Sequence, residues 1–313
     1  MSSYLTSDTL IASVERKAHV PGSQVTFEPE DYLAFANEEI KIGLLPSIMQ
    51  FHEEFFVVST EVALVNDQAA YDIPDRAVGA KVRSLFVRDN NGIIREMARI
   101  PEEDESYWQN TSVANAPHSF YLQNNSIVIV PTPKAPIGKL VIRYFQRPNE
   151  LVTSDRVATI KTIDTGTNTV TVDAVPSVFS YNTKLDLLET KGTHRCRATD
   201  LTASNINSST NSISFSSLPS SLVVGDIIAL AGECYIPQMP DELHSVLAQR
   251  VACRCLEAIG DTVGLQAANQ KLAEMEQKTG VLIDNRTEGN PVKVNNLRGP
   301  LRQSKIRRRR NLW

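Results

Sequence analysis

The sequence has no apolar run approaching the roughly eighteen residues that cross a bilayer, so no membrane span and no membrane partner is expected. Its first twenty residues, MSSYLTSDTLIASVERKAHV, lack a cationic segment followed by a long apolar one. The expectation is a protein made and used without crossing a membrane. Cysteine is scarce, with Cys196, Cys234, Cys253 and Cys255 the only four in 313 residues. Their spacing gives neither a disulfide framework nor a paired CxxC zinc site, and they read as reduced thiols. Also missing are a GxxxxGK[ST] phosphate loop, a GxGxxG turn after a strand and a GxSxG elbow, which removes the commonest nucleotide-binding and hydrolase signatures.

Acid is missing from one place in particular. Residues 289–313 contain eight Lys or Arg and no Asp or Glu, while the whole chain carries a formal charge of −4, which leaves −12 on residues 1–288. The basic character is confined to the terminus, and the body is not expected to bind nucleic acid by bulk charge. The composition, 42% hydrophobic and 22% charged, is that of a globular protein with two or three folded units.

Periodicity divides the chain. SDTLIASVERKAHV reads as a short amphipathic helix with Ser7 as its N-cap. FEPEDYLAFANEEIKIGLLPSIMQF reads as a firmer helix opened by Pro29, Glu30 and Asp31 and closed near Gly43, with a shorter helix after Pro46. From Phe55 the pattern becomes β-branched and aromatic, with hairpin turns at 89–92 and at Asn124-Asn125, and EEDESYWQN as a helical turn. After Arg147-Pro148-Asn149, short strands recur around a turn at 165–168 and a Ser/Asn/Thr-rich loop, TASNINSSTNS, and suggest a small barrel or sandwich. The helical period returns at Pro240, giving one helix ending near Gly260-Asp261 and another from about Val263 to Lys278. Beyond Gly280 the chain is too poor in large apolar residues to fold alone.

The fold class read from this order is α+β. Helices at 1–54 and 237–280 are expected to bury their apolar stripes against each other as one bundle, because each has an unburied face. An antiparallel β domain at 55–150 and a small β-barrel or sandwich at 151–236 are then insertions, and 281–313 is an extended basic arm.

A search for chemistry finds no catalytic, cofactor or metal constellation. HEEFF begins like a zincin motif, but Phe56 stands where the second histidine would share the metal, so His52 reads as a surface residue before a strand. His194-Arg195-Cys196 and Cys253-Arg254-Cys255 cannot converge four ligands, and Cys255 fits an apolar helix face. Glu102–Glu105 reads as a solvated face or a contact for a basic partner. SLFVRD and VIRYFQR interleave aromatics with cations, though aromatic alternation in a strand is more often core. The expected protein is not an enzyme.

Two stretches carry a resemblance. The second predicted helix and its lead-in present Phe27, Asp31, Leu33, Phe35, Asn37, Glu38 and Glu39, and are followed by YDIPDRAVGAKVR, Tyr71 to Arg83. Together with PHSFYLQNNSIVIVPTP and KLVIRYFQRPNELV, they resemble the head-to-tail adaptor (connector) proteins of tailed bacteriophages, over residues 5–155 and again over 240–280. The segment 156–235 departs from smaller members of that family. The resemblance implies a helical-bundle virion protein that assembles as a ring of twelve copies at the portal vertex. It extends the DNA channel, through which the genome passes without sequence-specific contact, and offers a docking surface to a tail or nozzle protein.

The resemblance also implies a role for the arm, which would reach onto the portal protein. Arg298, Arg302, Lys305, Arg307, Arg308, Arg309 and Arg310 would pair with carboxylates, while Ile306, Leu312 and Trp313 would anchor in an apolar pocket. Two rival readings stand beside it: a nucleic-acid-binding protein using the arm, since consecutive arginines neutralise phosphate as readily, and a tail-tube or nozzle component.

Overall fold

The computed structural model describes residues 5–18, 27–52, 54–109, 116–135, 138–192 and 194–283. Among them the chain is mixed α+β, with several sheets and a few helices.

The helices come from both ends of the described chain. Helix α1 (Ser7–Ala18) is capped by Thr6, not by Ser7: the Thr6 N–H donates to Thr9 Oγ1 at 2.7 Å and the Thr9 N–H to Thr6 Oγ1 at 3.3 Å. Ser7 is buried instead, and its N–H and hydroxyl both donate to the Tyr235 carbonyl, at 2.9 and 3.0 Å. Helix α2 (Pro29–Glu38) starts as expected, with the Asp31 carboxylate accepting from the Glu28 N–H at 2.9 Å. It does not close at Gly43. The chain passes through a π-helical turn, Glu39–Leu44, straight into α3 (Leu45–Phe51), and Pro46 sits in the first turn of α3, where its missing N–H costs nothing. Glycine is present at 43 for room, since a Cβ there would lie 2.3 Å from Arg250 Nη1.

Strands β1 (Val57–Ala63), β2 (Ala70–Asp72), β3 (Ala77–Asp89), β4 (Ile94–Glu96) and β5 (Ala98–Arg99) follow. A helical turn leads into α4 (Glu105–Gln109), then come β6 (Ser119–Gln123), β7 (Ser126–Val130), β8 (Gly138–Gln146) and β9 (Glu150–Leu151). They form two four-stranded sheets, ordered β1-β8-β3-β4 and β2-β7-β6-β5. The turns at 89–92 and 124–125 join β3 to β4 and β6 to β7 as the sequence predicts. The two sheets face each other across one core: alternate residues Leu140 and Ile142 of β8 meet Ile127 and Ile129 of β7. Each of these fully buried side chains contributes about 1.5–3 kcal/mol.

The third part contains β10 (Ala158–Asp164), β11 (Thr169–Val172), β12 (Lys184–Leu188), β13 (Cys196–Asn207), β14 (Ser212–Phe215) and β15 (Ile227–Leu230). They close into a barrel in the order β10-β11-β14-β13-β12-β15, which leaves no open edge. The polar stretch TASNIN, expected as loop, is strand here. Ala203 and Ile206 both turn inward because a register shift against β14 falls between them, while Ser, Thr and Asn face water, so a half-buried strand was hidden behind loop-like composition. A short strand, β16 (Glu233–Cys234), then pairs in parallel with β9, so the chain's entry to and exit from the barrel run side by side.

The chain returns to helix in α5 (His244–Ile259) and α6 (Thr262–Ile283). Helix α5 ends on Gly260 in the left-handed region at φ +83°, and Asp261 Oδ1 caps α6 by accepting from the Gly264 N–H at 2.9 Å. Helix α6 runs past the expected end and includes residues 281–283, which the sequence reading placed in the arm. Leu10, Val14, Leu33 and Ile48 from the start of the chain share one hydrophobic cluster with Val246, Leu247, Val251 and Cys255 of α5. Leu265, Leu272 and Met275 of α6 pack against its edge.

Candidate functional site

The residues predicted to bind a partner, Arg298, Arg302, Lys305, Ile306, Arg307, Arg308, Arg309, Arg310, Leu312 and Trp313, lie outside the described residues. What the structure brings together instead is a set of polar clamps that join helices, sandwich and barrel, several of them built from the motif residues of the sequence.

The central clamp is Asp186. It sits on β12 between leucines and is completely buried. Arg76, held by the tight turn ahead of β3, leaves the sandwich and grips it with both nitrogens, Nη1 to Oδ2 at 2.7 Å and Nη2 to Oδ1 at 3.1 Å. Asn149 Nδ2 donates to Oδ2 at 2.8 Å, and the backbone N–H groups of Asp200 and Gly232 each donate at 2.9 Å. A register shift between β12 and β13 puts Asp200 in the left-handed region at φ +58°, where its N–H meets Asp186 and its carboxylate takes Arg76 Nη2 at 3.0 Å. Five donors satisfy one carboxylate, which is what allows a charge to be buried there.

Asn37 of α2 acts as a piece of strand. Its Oδ1 accepts from the Leu151 N–H at 2.7 Å and its Nδ2 donates to the Leu151 carbonyl at 3.1 Å, which fastens β9 to the helix. Two residues on, Glu39 accepts from Arg254 Nε at 2.6 Å and from Arg250 Nη1 at 3.0 Å, and Arg250 Nη2 continues to Glu276 of α6 at 2.5 Å. The π-turn and Gly43 give the Arg250 guanidinium its path, so α2, α5 and α6 are tied by one network.

A fourth clamp joins the barrel to α5. His194 and His244, 2% and 5% exposed, have ring centroids 5.9 Å apart, and His194 Nε2 lies 3.0 Å from Asp241 Oδ1. Burial holds the His244 pKa below its ordinary value; Asp241 opposes the shift and His194 adds to it.

The residues at which the sequence invited a search for chemistry are packed or paired. Phe56 is buried beside Phe55, and the His52 ring packs edge-on to Phe55. Burial pushes the Cys196 and Cys255 thiols up to about 11, so both stay protonated and unreactive at neutral pH. Glu105 accepts from the Tyr121 hydroxyl at 2.9 Å, and Glu102 from Gln123 at 2.8 Å. Among the described residues no group of three or more His, Cys, Asp or Glu is arranged to hold a metal. Nor is any described helix long and apolar enough to cross a membrane.

Sequence reasoning singled out Asn37, Glu39 and Arg76 as motif residues but missed their partners Asp186, Asn149, Arg250 and Arg254. One signal was available for Asp186: a lone acid inside the leucine run LDLL is a buried charge awaiting a cation.

These clamps hold helices, sandwich and barrel in one relation. A family model described as SU10 adaptor protein matches residues 5–188, and the chain belongs to that family. It is a bacteriophage structural adaptor and a component of the virion, and membership implies contacts with portal and tail proteins and self-association. No curated protein matches the chain. The family match runs through β12, so it includes both Arg76 and Asp186 and does not stop at 155.

Proposed function

We propose that the protein forms a ring at the head-tail junction, joining the portal to the tail and extending the DNA channel, with the helices of both chain ends as its bundle and the C-terminal arm docked on the portal. Twelve copies match the symmetry that the family resemblance implies. The observation that carries the reading is the family match over the body, and the clamps support it: a ring subunit must hold its parts in one relation if successive copies are to close. The charge partition, −12 on residues 1–288 and +8 on residues 289–313, supports an arm that seeks acid in a partner while the body lets DNA slide past.

The test mixes the chain with its genome's portal protein, with and without residues 298–313, and reads complexes by mass photometry and negative-stain microscopy. The full chain is expected to cap the portal as a ring and the truncation to lose that binding. Equal binding by both removes the arm from the portal contact. A salt-steep shift of DNA by the full chain alone assigns the arm to nucleic acid.

A further inference from the structure

Strand alternation gives the sandwich two outer faces of opposite character. On β7, Ile127 and Ile129 enter the shared core while Val128 and Val130 face the other way, where Trp108 of α4 packs on them. The segment carrying Trp108 presents Glu102, Glu103 and Asp104 to solvent together with Tyr107, which is 68% exposed. No lysine or arginine occurs between Arg99 and Lys134, so no cation of the same segment offsets these acids.

On β8 the alternation runs the same way. Leu140, Ile142 and Tyr144 enter the core, and Val141, Arg143 and Phe145 face outward beside Phe86 of β3, the register partner of Val141. Val141 and Phe145 are buried, yet among the described residues they belong to none of the hydrophobic clusters. Cations cover this face: Lys81 Nζ lies 4.9 Å from the Phe145 ring centroid, and the Arg143 guanidinium lies 4.4 Å over Phe86. Arg88 and Lys139 pair with Glu61 at its edge, and Glu96, the register partner of Phe86 on β4, is the second acid there, which leaves four cations against two acids. Among the described residues neither Lys81 nor Arg143 has an acidic partner, nor do Glu103 and Asp104 have a basic one.

We infer that neighbouring copies meet through the sandwich, the Lys81/Arg143 face of one protomer against the Glu102–Tyr107 segment of the next. The inference rests on the ring reading above and names the contact that would build the ring. A second copy is the occupant the charges select: both halves of the contact lie on one chain, on opposite sides of one sandwich, with opposite sign. A contact between unlike faces repeats from copy to copy and closes as a ring, whereas a two-fold contact through either face sets like charge against like. The cations are held over the rings beforehand, which lowers the ordering cost on association, and Tyr107 gives the acidic side an aromatic for them to cover.

The test uses two full-length variants, Lys81→Glu with Arg143→Glu, and Glu102→Lys with Glu103→Lys and Asp104→Lys, each checked for folding by circular dichroism. One variant then has two acidic faces and the other two basic faces. Each alone is expected to self-associate about tenfold or more weakly than the unmodified chain, read as rings on the portal by mass photometry. An equimolar mixture is expected to recover rings with alternating copies. Assembly of either variant alone at the unmodified level, or a mixture that stays apart, overturns the inference. So do intact rings that have lost only the tail protein or DNA, since the face then belongs to that other occupant. If a charge reversal fails to fold, Lys81→Gln with Arg143→Gln is expected to weaken assembly and flatten its salt dependence, and an unchanged ring again overturns the contact. Failure of the unmodified chain to form a ring on the portal counts against the ring reading itself, whatever the variants do.

Discussion

At the scale of single residues, a few side chains do the joining. Asp186 is tolerable inside β12 only because five donors reach it, two from Arg76. Replacing it with alanine takes the shared, fully buried acceptor from Arg76 and Asn149, which keep Asp200 and the Glu233 carbonyl. A loss of about 3–5 kcal/mol is expected in urea unfolding, with Arg76→Ala adding much less once Asp186 is gone. His244 supplies a pH dependence. Its folded pKa lies below the unfolded one, because burial disfavours the cation, so in acid the unfolded chain binds the proton more readily. Its contribution is complete above the unfolded histidine range near ~6.5 and is lost as pH falls through the lowered value. Thermal melts from neutral to mildly acid pH should show that decline, and His244→Asn should make it shallower.

At the scale of elements, the connections matter more than the elements they connect. Asn37 ties α2 to β9, and β9 lies beside β16, so one amide side chain anchors both strands that lead to and from the barrel. Asn37→Ala strands a part-buried donor and acceptor on Leu151 and should cost about 1–3 kcal/mol. The same element logic makes Gly138→Ala damaging: the backbone stands at φ +144°, and an added Cβ would lie 2.0 Å from the Arg88 carbonyl oxygen at the end of the β3–β8 ladder. Chemical denaturation of both variants checks the two expectations. The π-turn belongs at this scale too, since it lets α2 run into α3 while Arg250 crosses at Gly43 to reach Glu39 and Glu276.

Across the whole molecule, rigidity and charge placement are the properties an adaptor needs. The clamps fix sandwich, barrel and helices to one another, and the sandwich carries an acidic side and a basic side. If copies meet through those sides, raising salt from about 0.1 M towards 1 M screens the exposed charges, and the fraction of chain in rings should fall. Salt-independent rings, measured by sedimentation velocity, would place the stabilising contact on apolar surface elsewhere.

The amino-acid sequence by itself determined what depends on neighbours within a few residues: the helix starts at Pro29 and after Pro240, the stop at Gly260, the hairpins at 89–92 and 124–125, and the isolation of positive charge at 289–313. It also exposed Asn37, Glu39 and Arg76 through a family resemblance. Tertiary structure decided the rest for a physical reason. Polar partners are chosen by proximity in space, as Arg76 meets Asp186 across 110 residues and Glu39 meets Arg254 across 215. Gly43 proved to be a passage for a guanidinium where local reasoning saw a helix stop. The aromatic alternation of VIRYFQR was legible as a strand, but only sheet packing assigned Tyr144 to the core and Phe145 to the cation-covered outer face.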